Sequence, residues 1–131
     1  MIRLDTNYIV RYLTNDNEEM AQIAEDIILN ENVYISNEVL AEVVYVLVGV
    51  YEVPKKDVSD MLTQLISFEN IQVENKNIVN KTLEIFQIKN LDFVDCLLCS
   101  YSQNDVIKTF DKKLLKCINS HKVIGTVKKA Q

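Results

Sequence analysis

Two glycines and one proline in 131 residues leave this chain little material for loops. Glycine and proline are the main punctuation of a polypeptide, so their scarcity forces short connections and puts most residues into regular elements. Those elements alternate in type. Met1 to Asp5 reads as a short buried strand. From Thr6 to Leu13 the spacing of Ile9, Val10 and Leu13 is helical, with Thr6 placed to cap it. Asp16 or Asn17 caps a second helix through Met20, Ile23, Ala24, Ile27 and Ile28. Val33-Tyr34-Ile35 is a strand, and Ser36 starts a long helix reaching about Val50. Pro54 suits the first turn of a helix carrying Val58, Met61, Leu62, Leu65 and Ile66. Ile71-Gln72-Val73 is the next strand, followed by a helix through Ile78, Val79, Leu83 and Phe86, then a buried helix from Asp92 to Ser102. Val106 to Thr109 reads as a strand, residues 111–118 as a short helix, and Lys122 to Gly125 as an edge strand. Strands alternating with helices predict an α/β fold. It is a three-layer α/β/α sandwich in which a mostly parallel sheet of about four to five strands is covered on both sides. With no linker, repeat or low-complexity stretch, residues 1–131 form a single domain.

Composition narrows the setting. The 48% apolar and 25% charged residues are those of an ordinary soluble globular protein. No apolar run approaches the ~18 residues that span a bilayer, and no basic flank precedes an apolar stretch at the N-terminus. Of the three cysteines, Cys96 and Cys99 lie in an apolar helical pattern. They read as core thiols rather than as a metal clip or disulfide. A reducing cytoplasm is the expected compartment, with no membrane association. A single histidine, His121, and no finger-type cysteine pairs argue against zinc. The net charge of −5 is unevenly spread: residues 1–99 hold 17 acidic and 7 basic side chains, residues 100–131 hold 2 and 7. Lys108, Lys112, Lys113 and Lys116 bracket Asp111, either as a solvated face or as a rim that steers phosphates.

Four carboxylates stand in apolar settings: Asp5 behind the first strand, Glu42 within Val39-Leu40-Ala41-Glu42-Val43-Val44, Asp95 before Cys96-Leu97-Leu98, and Asp111 after the strand at 106–109. Each has a structural reading beside a functional one. Asp5 and Asp92 fit helix caps. Glu42 is harder to dismiss, because its helix is apolar on nearly every side and an unpaired buried carboxylate is costly. Glu38, one turn earlier, is the acid that fits solvent. In open parallel sheets ligands bind at the carboxyl ends of the strands, where Asp5 and Asp111 are expected. Taken together the acids predict an all-oxygen site for Mg²⁺ or Mn²⁺, ions suited to phosphate chemistry. A metal pair about 3.5–4 Å apart can activate water and stabilise a leaving oxygen in phosphodiester cleavage. Thr6, Asn7, Asp92 and Thr109 are placed to orient those acids or a water. No Ser/His/Asp arrangement and no glycine-rich phosphate loop is present.

Four segments in order resemble the motifs of PIN domains, in particular VapC-type toxins. They are Leu4-Asp5-Thr6-Asn7-Tyr8-Ile9-Val10, the run from Ile35 to Leu47, Leu91-Asp92-Phe93-Val94-Asp95-Cys96-Leu97-Leu98, and Thr109-Phe110-Asp111-Lys112-Lys113-Leu114. The resemblance covers essentially the whole chain. It implies a PIN-like fold and a Mg²⁺- or Mn²⁺-dependent endoribonuclease with Asp5, Glu42, Asp95 and Asp111 as metal-binding catalytic acids and Asp92 as an additional acid. It also implies a homodimer held inactive by a cognate antitoxin, acting on structured RNA. With no tryptophan and no cluster of tyrosines, readout of that RNA by shape is expected. The apolar stripes of helices around 17–29 and 55–67 are candidate dimer or partner surfaces.

Two other readings compete. A phosphatase with Asp5 as covalent nucleophile usually needs a second Asp two residues on, where this chain has Asn7. A non-catalytic interaction module would use the acids as caps and surface charge.

Overall fold

The computed structural model describes residues 1–120, and the chain divides into two compact units, Met1–Lys76 and Asn77–Gln131. The first unit holds a parallel sheet of three strands in the order β1 (Ile2–Arg3), β2 (Val33–Ile35), β3 (Ile71–Val73). Ile2 pairs with Val33, and Val33 and Ile35 pair with Ile71 and Val73. Those four β2 and β3 residues therefore share one face, and all four are buried. Arg3, Tyr34 and Gln72 share the other face, where the Arg3 guanidinium lies 4.5 Å from the Tyr34 ring centre. Arg3 and Gln72 are exposed, so the sheet is not buried equally on both faces as the alternation of elements predicts.

Parallel neighbours need crossovers, and helices supply them. Between β1 and β2 run α1 (Thr6–Thr14) and α2 (Glu18–Asn30); between β2 and β3 run α3 (Asn37–Gly49) and α4 (Lys55–Ile66). Asn17 and Ser36 cap α2 and α3 through side-chain oxygens, as expected. The cap of α1 is Asp5 rather than Thr6, which lies buried inside the first turn. Asn15, at φ 54°, ends α1 in the left-handed region that Asn tolerates. Asn70 donates to the carbonyls of Ile28 and Glu31, tying the end of α2 to the entry of β3. The apolar stripe of α4 (Val58, Leu62, Leu65, Ile66) is core, whereas α2 leaves Met20, Ile23 and Leu29 exposed.

The second unit is helical. It contains α5 (Lys76–Ile88, entered from the first unit), α6 (Phe93–Tyr101) and α7 (112–120). Phe86 meets Phe93 edge to face at 5.9 Å. The hydroxyls of Thr82 and Ser100 meet at 2.9 Å, so two buried polar groups on α5 and α6 satisfy each other. Cys99 of α6 is disulfide-bonded to Cys117 of α7, which corrects the reading of Cys99 as a core thiol. Spacing within one helix could not reveal this, because the partner lies 18 residues away on another element. Cys96 stays buried, its thiol directed to the Leu91 carbonyl.

One expected strand is not found among the described residues. Residues 106–110 keep a strand's alternation of more and less exposed side chains, yet none of them enters a ladder, and an extended run without a hydrogen-bonded neighbour is not a strand. The edge strand at 122–125 lies outside the described residues. The sheet therefore has three strands among the described residues, not four to five. No helix among them is long and apolar enough to cross a membrane.

Candidate metal centre

Three of the predicted acids begin helices, and they do so in the same way. Asp5 Oδ1 accepts from the Tyr8 amide at 3.1 Å, Asp92 Oδ1 from the Asp95 amide at 2.9 Å, and Asp111 Oδ1 from the Leu114 amide at 2.8 Å. Each carboxylate thus satisfies an amide that the helix leaves unpaired and sits at the positive end of its dipole. Capping takes one of roughly four acceptor positions on a carboxylate, so it orients the group without using it up.

In the first unit, Asp5 is exposed at the turn from β1 into α1. It borders a cleft of about 370 Å³ that is also lined by Asn7, Tyr8, Arg11, Met20 and Ile23. Arg11 is held at 2.7 Å by Asp16, which also accepts from the Tyr51 hydroxyl at 2.7 Å. The Tyr51 hydrogen bond, then that of Arg11, hold the Asp16 carboxyl down at about 2. Glu42 lies on the solvent-facing stripe of α3 with Glu38 and Tyr45. That corrects the argument from burial: one narrow stripe suffices to keep both acids in water on an otherwise apolar helix.

The second unit crowds its acids. Asp95, third residue of α6, is partly buried, and its proton is held more tightly than usual. Burial is the largest cause, followed by the negative charges of Asp92 and Asp111. The structure thus brings Asp92 and Asp111 within electrostatic reach of Asp95. Thr109 Oγ1 accepts from the Asp111 amide at 3.0 Å, fixing the turn that presents Asp111. Lys108, Lys112, Lys113 and Lys116 are all exposed around it.

The donor chemistry fits a hard divalent cation. The groups are carboxylates only, each cap holds one oxygen in place, and the charge crowding at Asp95 is of the kind that such an ion relieves. Among the described residues, however, no three His, Cys, Asp or Glu side chains close into a group that could hold an ion.

A family model for the PIN domain matches residues 2–117. The chain belongs to the PIN-domain family. Among curated proteins it is similar to a VapC ribonuclease of Aquifex aeolicus (strain VF5), with 24% identity over 98 residues that cover 72% of this chain and 73% of that protein. No solved structure matches significantly. The PIN match runs through both compact units and contains all four predicted acids.

Sequence reasoning about this PIN domain overlooked two features beside the acids. Tyr8, Met20 and Ile23 line the cleft at Asp5; the stripe of Met20 and Ile23 reads as core or partner surface, and nothing in the spacing ties it or Tyr8 to Asp5. Phe110, between Thr109 and Asp111, is 103% exposed. Its only signal in the sequence is an apolar residue set among lysines, just past the end of the predicted strand at 106–109.

Proposed function

We propose that this PIN-domain protein is a metal-dependent endoribonuclease, the toxin of a toxin–antitoxin pair. The observation that carries the reading is the PIN-domain match over residues 2–117, which contains Asp5, Glu42, Asp95 and Asp111. The negative charges of Asp92 and Asp111 near the partly buried Asp95 are of a kind that suits a cation. The ribonuclease named in the similar Aquifex protein supports RNA as the substrate. Asp5, Glu42, Asp95 and Asp111 would hold Mg²⁺ or Mn²⁺, and a bound ion supplies Lewis acidity toward phosphate and lowers the pKa of water. The chain's own residues do the rest. Helix capping fixes the carboxylates of Asp5 and Asp111 before any ligand arrives. Asp92 holds the first turn of α6 and so the backbone of Asp95. Thr6, Asn7 and Thr109 orient neighbouring groups. Lys108, Lys112, Lys113 and Lys116 draw the phosphate backbone toward Asp111.

The reading extends to a single domain with three-layer packing, to a homodimer, and to inhibition by a cognate antitoxin. The cytoplasmic setting expected from reduced thiols loses that support, since Cys99 and Cys117 are bonded. Its test is RNA cleavage by the purified protein with Mn²⁺ and with EDTA. Cleavage that persists in EDTA, or that survives Asp95→Asn, removes it. A second reading draws support from the caps: a non-catalytic PIN-like interaction module in which Asp5, Asp92 and Asp111 serve only to start helices. Under that reading Mn²⁺ gives no rise in Tm, whereas an ion bound to the native state must stabilise it.

A further inference from the structure

Phe110 is a large apolar side chain standing wholly in water, at 103% relative exposure. A single exposed apolar residue usually needs no explanation. This one differs in three respects. Its backbone is pinned on the C-terminal side: the Asp111 amide is held by Thr109 Oγ1 at 3.0 Å, and Asp111 Oδ1 holds the Leu114 amide at 2.8 Å. The ring is therefore presented by a fixed turn. It directly precedes one of the acids proposed to hold metal. It is also flanked in sequence by Lys108, Lys112, Lys113 and Lys116, all exposed, in the part of a net-acidic chain where positive charge concentrates.

An aromatic face set in a basic surface is the pairing that binds single-stranded nucleic acid: lysines follow the phosphates and the ring stacks on a base. The remainder of the chain, with 17 acidic and 7 basic residues in positions 1–99, repels a polyanion and leaves this surface as the electrostatically favoured approach. We propose that Phe110 is a stacking platform for one unpaired base of the RNA. A base held there places the phosphodiester next to it in register with Asp111. The site takes single-stranded or looped RNA rather than a continuous duplex, because a paired base has no free face to offer. The inference rests on the ribonuclease reading and adds to it a substrate-contact residue and a strandedness requirement. It is compatible with readout by shape rather than by sequence, because stacking accepts any base.

The chain contains no tryptophan, so Phe110→Trp installs a single reporter at the position in question. With EDTA present, titration of the F110W protein with an eight-nucleotide single-stranded RNA is expected to quench the indole emission. Titration with the same sequence as a blunt duplex, or with tripolyphosphate, is not. In cleavage assays with Mn²⁺, Phe110→Ala is expected to raise KM for single-stranded RNA by about 5- to 100-fold with little change in kcat, the range that loss of one stacked base produces. Phe110→Tyr restores it. Equal quenching by tripolyphosphate, or an unchanged KM in Phe110→Ala, overturns the proposal. So does loss of a co-purifying protein in Phe110→Ala with unchanged RNA kinetics, which assigns the ring to a protein partner. Quenching by single-stranded RNA in a protein that cuts no RNA leaves the stacking site standing and removes the nuclease reading. The two failures are thereby separated.

Discussion

The two units treat their carboxylates differently. In the first, Asp5 and Glu42 are exposed, each on its own element, with Asp5 opening onto a cleft. In the second, Asp92, Asp95 and Asp111 crowd one another, and the middle one is partly desolvated. Both units use Asp to start a helix, so capping alone does not distinguish them. What differs is the cost of keeping the charge. The partly buried Asp95, within reach of two other carboxylates, is harder to ionise, and a cation would relieve it. The second unit is therefore where the proposed metal dependence would have a physical cause in the protein itself.

That contrast can be broken most sharply by removing charge without removing shape. Asp5→Asn and Asp95→Asn should each lower RNA cleavage by at least about a hundredfold, since even residues that merely support metal ligands commonly cost 10–100-fold. Their metal-free Tm values should diverge. Asp5→Asn is expected to leave Tm nearly unchanged, because Asn caps a helix about as well as Asp. Asp95→Asn should raise it at neutral pH. The sign follows from the raised proton affinity of Asp95. The folded protein binds that proton more tightly than the unfolded chain does, so the ionised carboxylate disfavours folding above its native pKa. Stability is regained as pH falls through that value toward the ordinary ~3.9. A lower metal-free Tm in Asp95→Asn would sink the comparison.

The Cys99–Cys117 bond sharpens the contrast from another side. It closes a loop of sequence separation 18 within the second unit, a size for which cross-linking is worth about 3 kcal/mol. Reduction, followed by hydrogen exchange, should speed exchange in α6 and α7 more than in α1 and α3. Uniform acceleration, or a mass showing both thiols reduced in the purified protein, would contradict it.

Smaller effects test the caps. Asp111→Ala should cost about 1 kcal/mol in urea denaturation and Asp111→Asn a few tenths at most. The smallest effect belongs to Asp16, whose carboxyl is held at about 2 by Tyr51 and Arg11. A depressed native pKa contributes stability above the unfolded value of ~3.9 that is lost as pH falls toward 2. Asp16→Asn should flatten that part of the acid-denaturation curve and little else.

Much of the architecture was legible because local signals agreed with tertiary demands. Val33–Ile35 and Ile71–Val73 are strands where the apolar runs place them, and Ser36 and Asn17 cap where helix-start chemistry requires. The failures are non-local. Residues 106–110 have a strand's alternation, but strand identity depends on a neighbour that the segment itself does not specify. Glu42 was misjudged because an apolar census of α3 ignores phase: the same composition with a turn-by-turn polar stripe puts Glu38, Glu42 and Tyr45 outside. Asp5, Asp92 and Asp111 were readable as helix starters from their positions. The penalty on Asp95 was not, since it arises from burial and from an acid 16 residues away.

The shared cap geometry has an evolutionary corollary. Each of Asp5, Asp92 and Asp111 begins a helix with an oxygen that the amide of Asn also possesses. A single-nucleotide change from Asp to Asn would leave the fold intact while deleting a charge. Disarmed copies of such a gene are then structurally cheap to produce and slow to be purged as misfolded protein. A copy of this kind would still present its surface to any partner that recognises the folded chain. It would compete for that partner as a decoy, so loss of chemistry in one copy would change how much of the partner is left for the others.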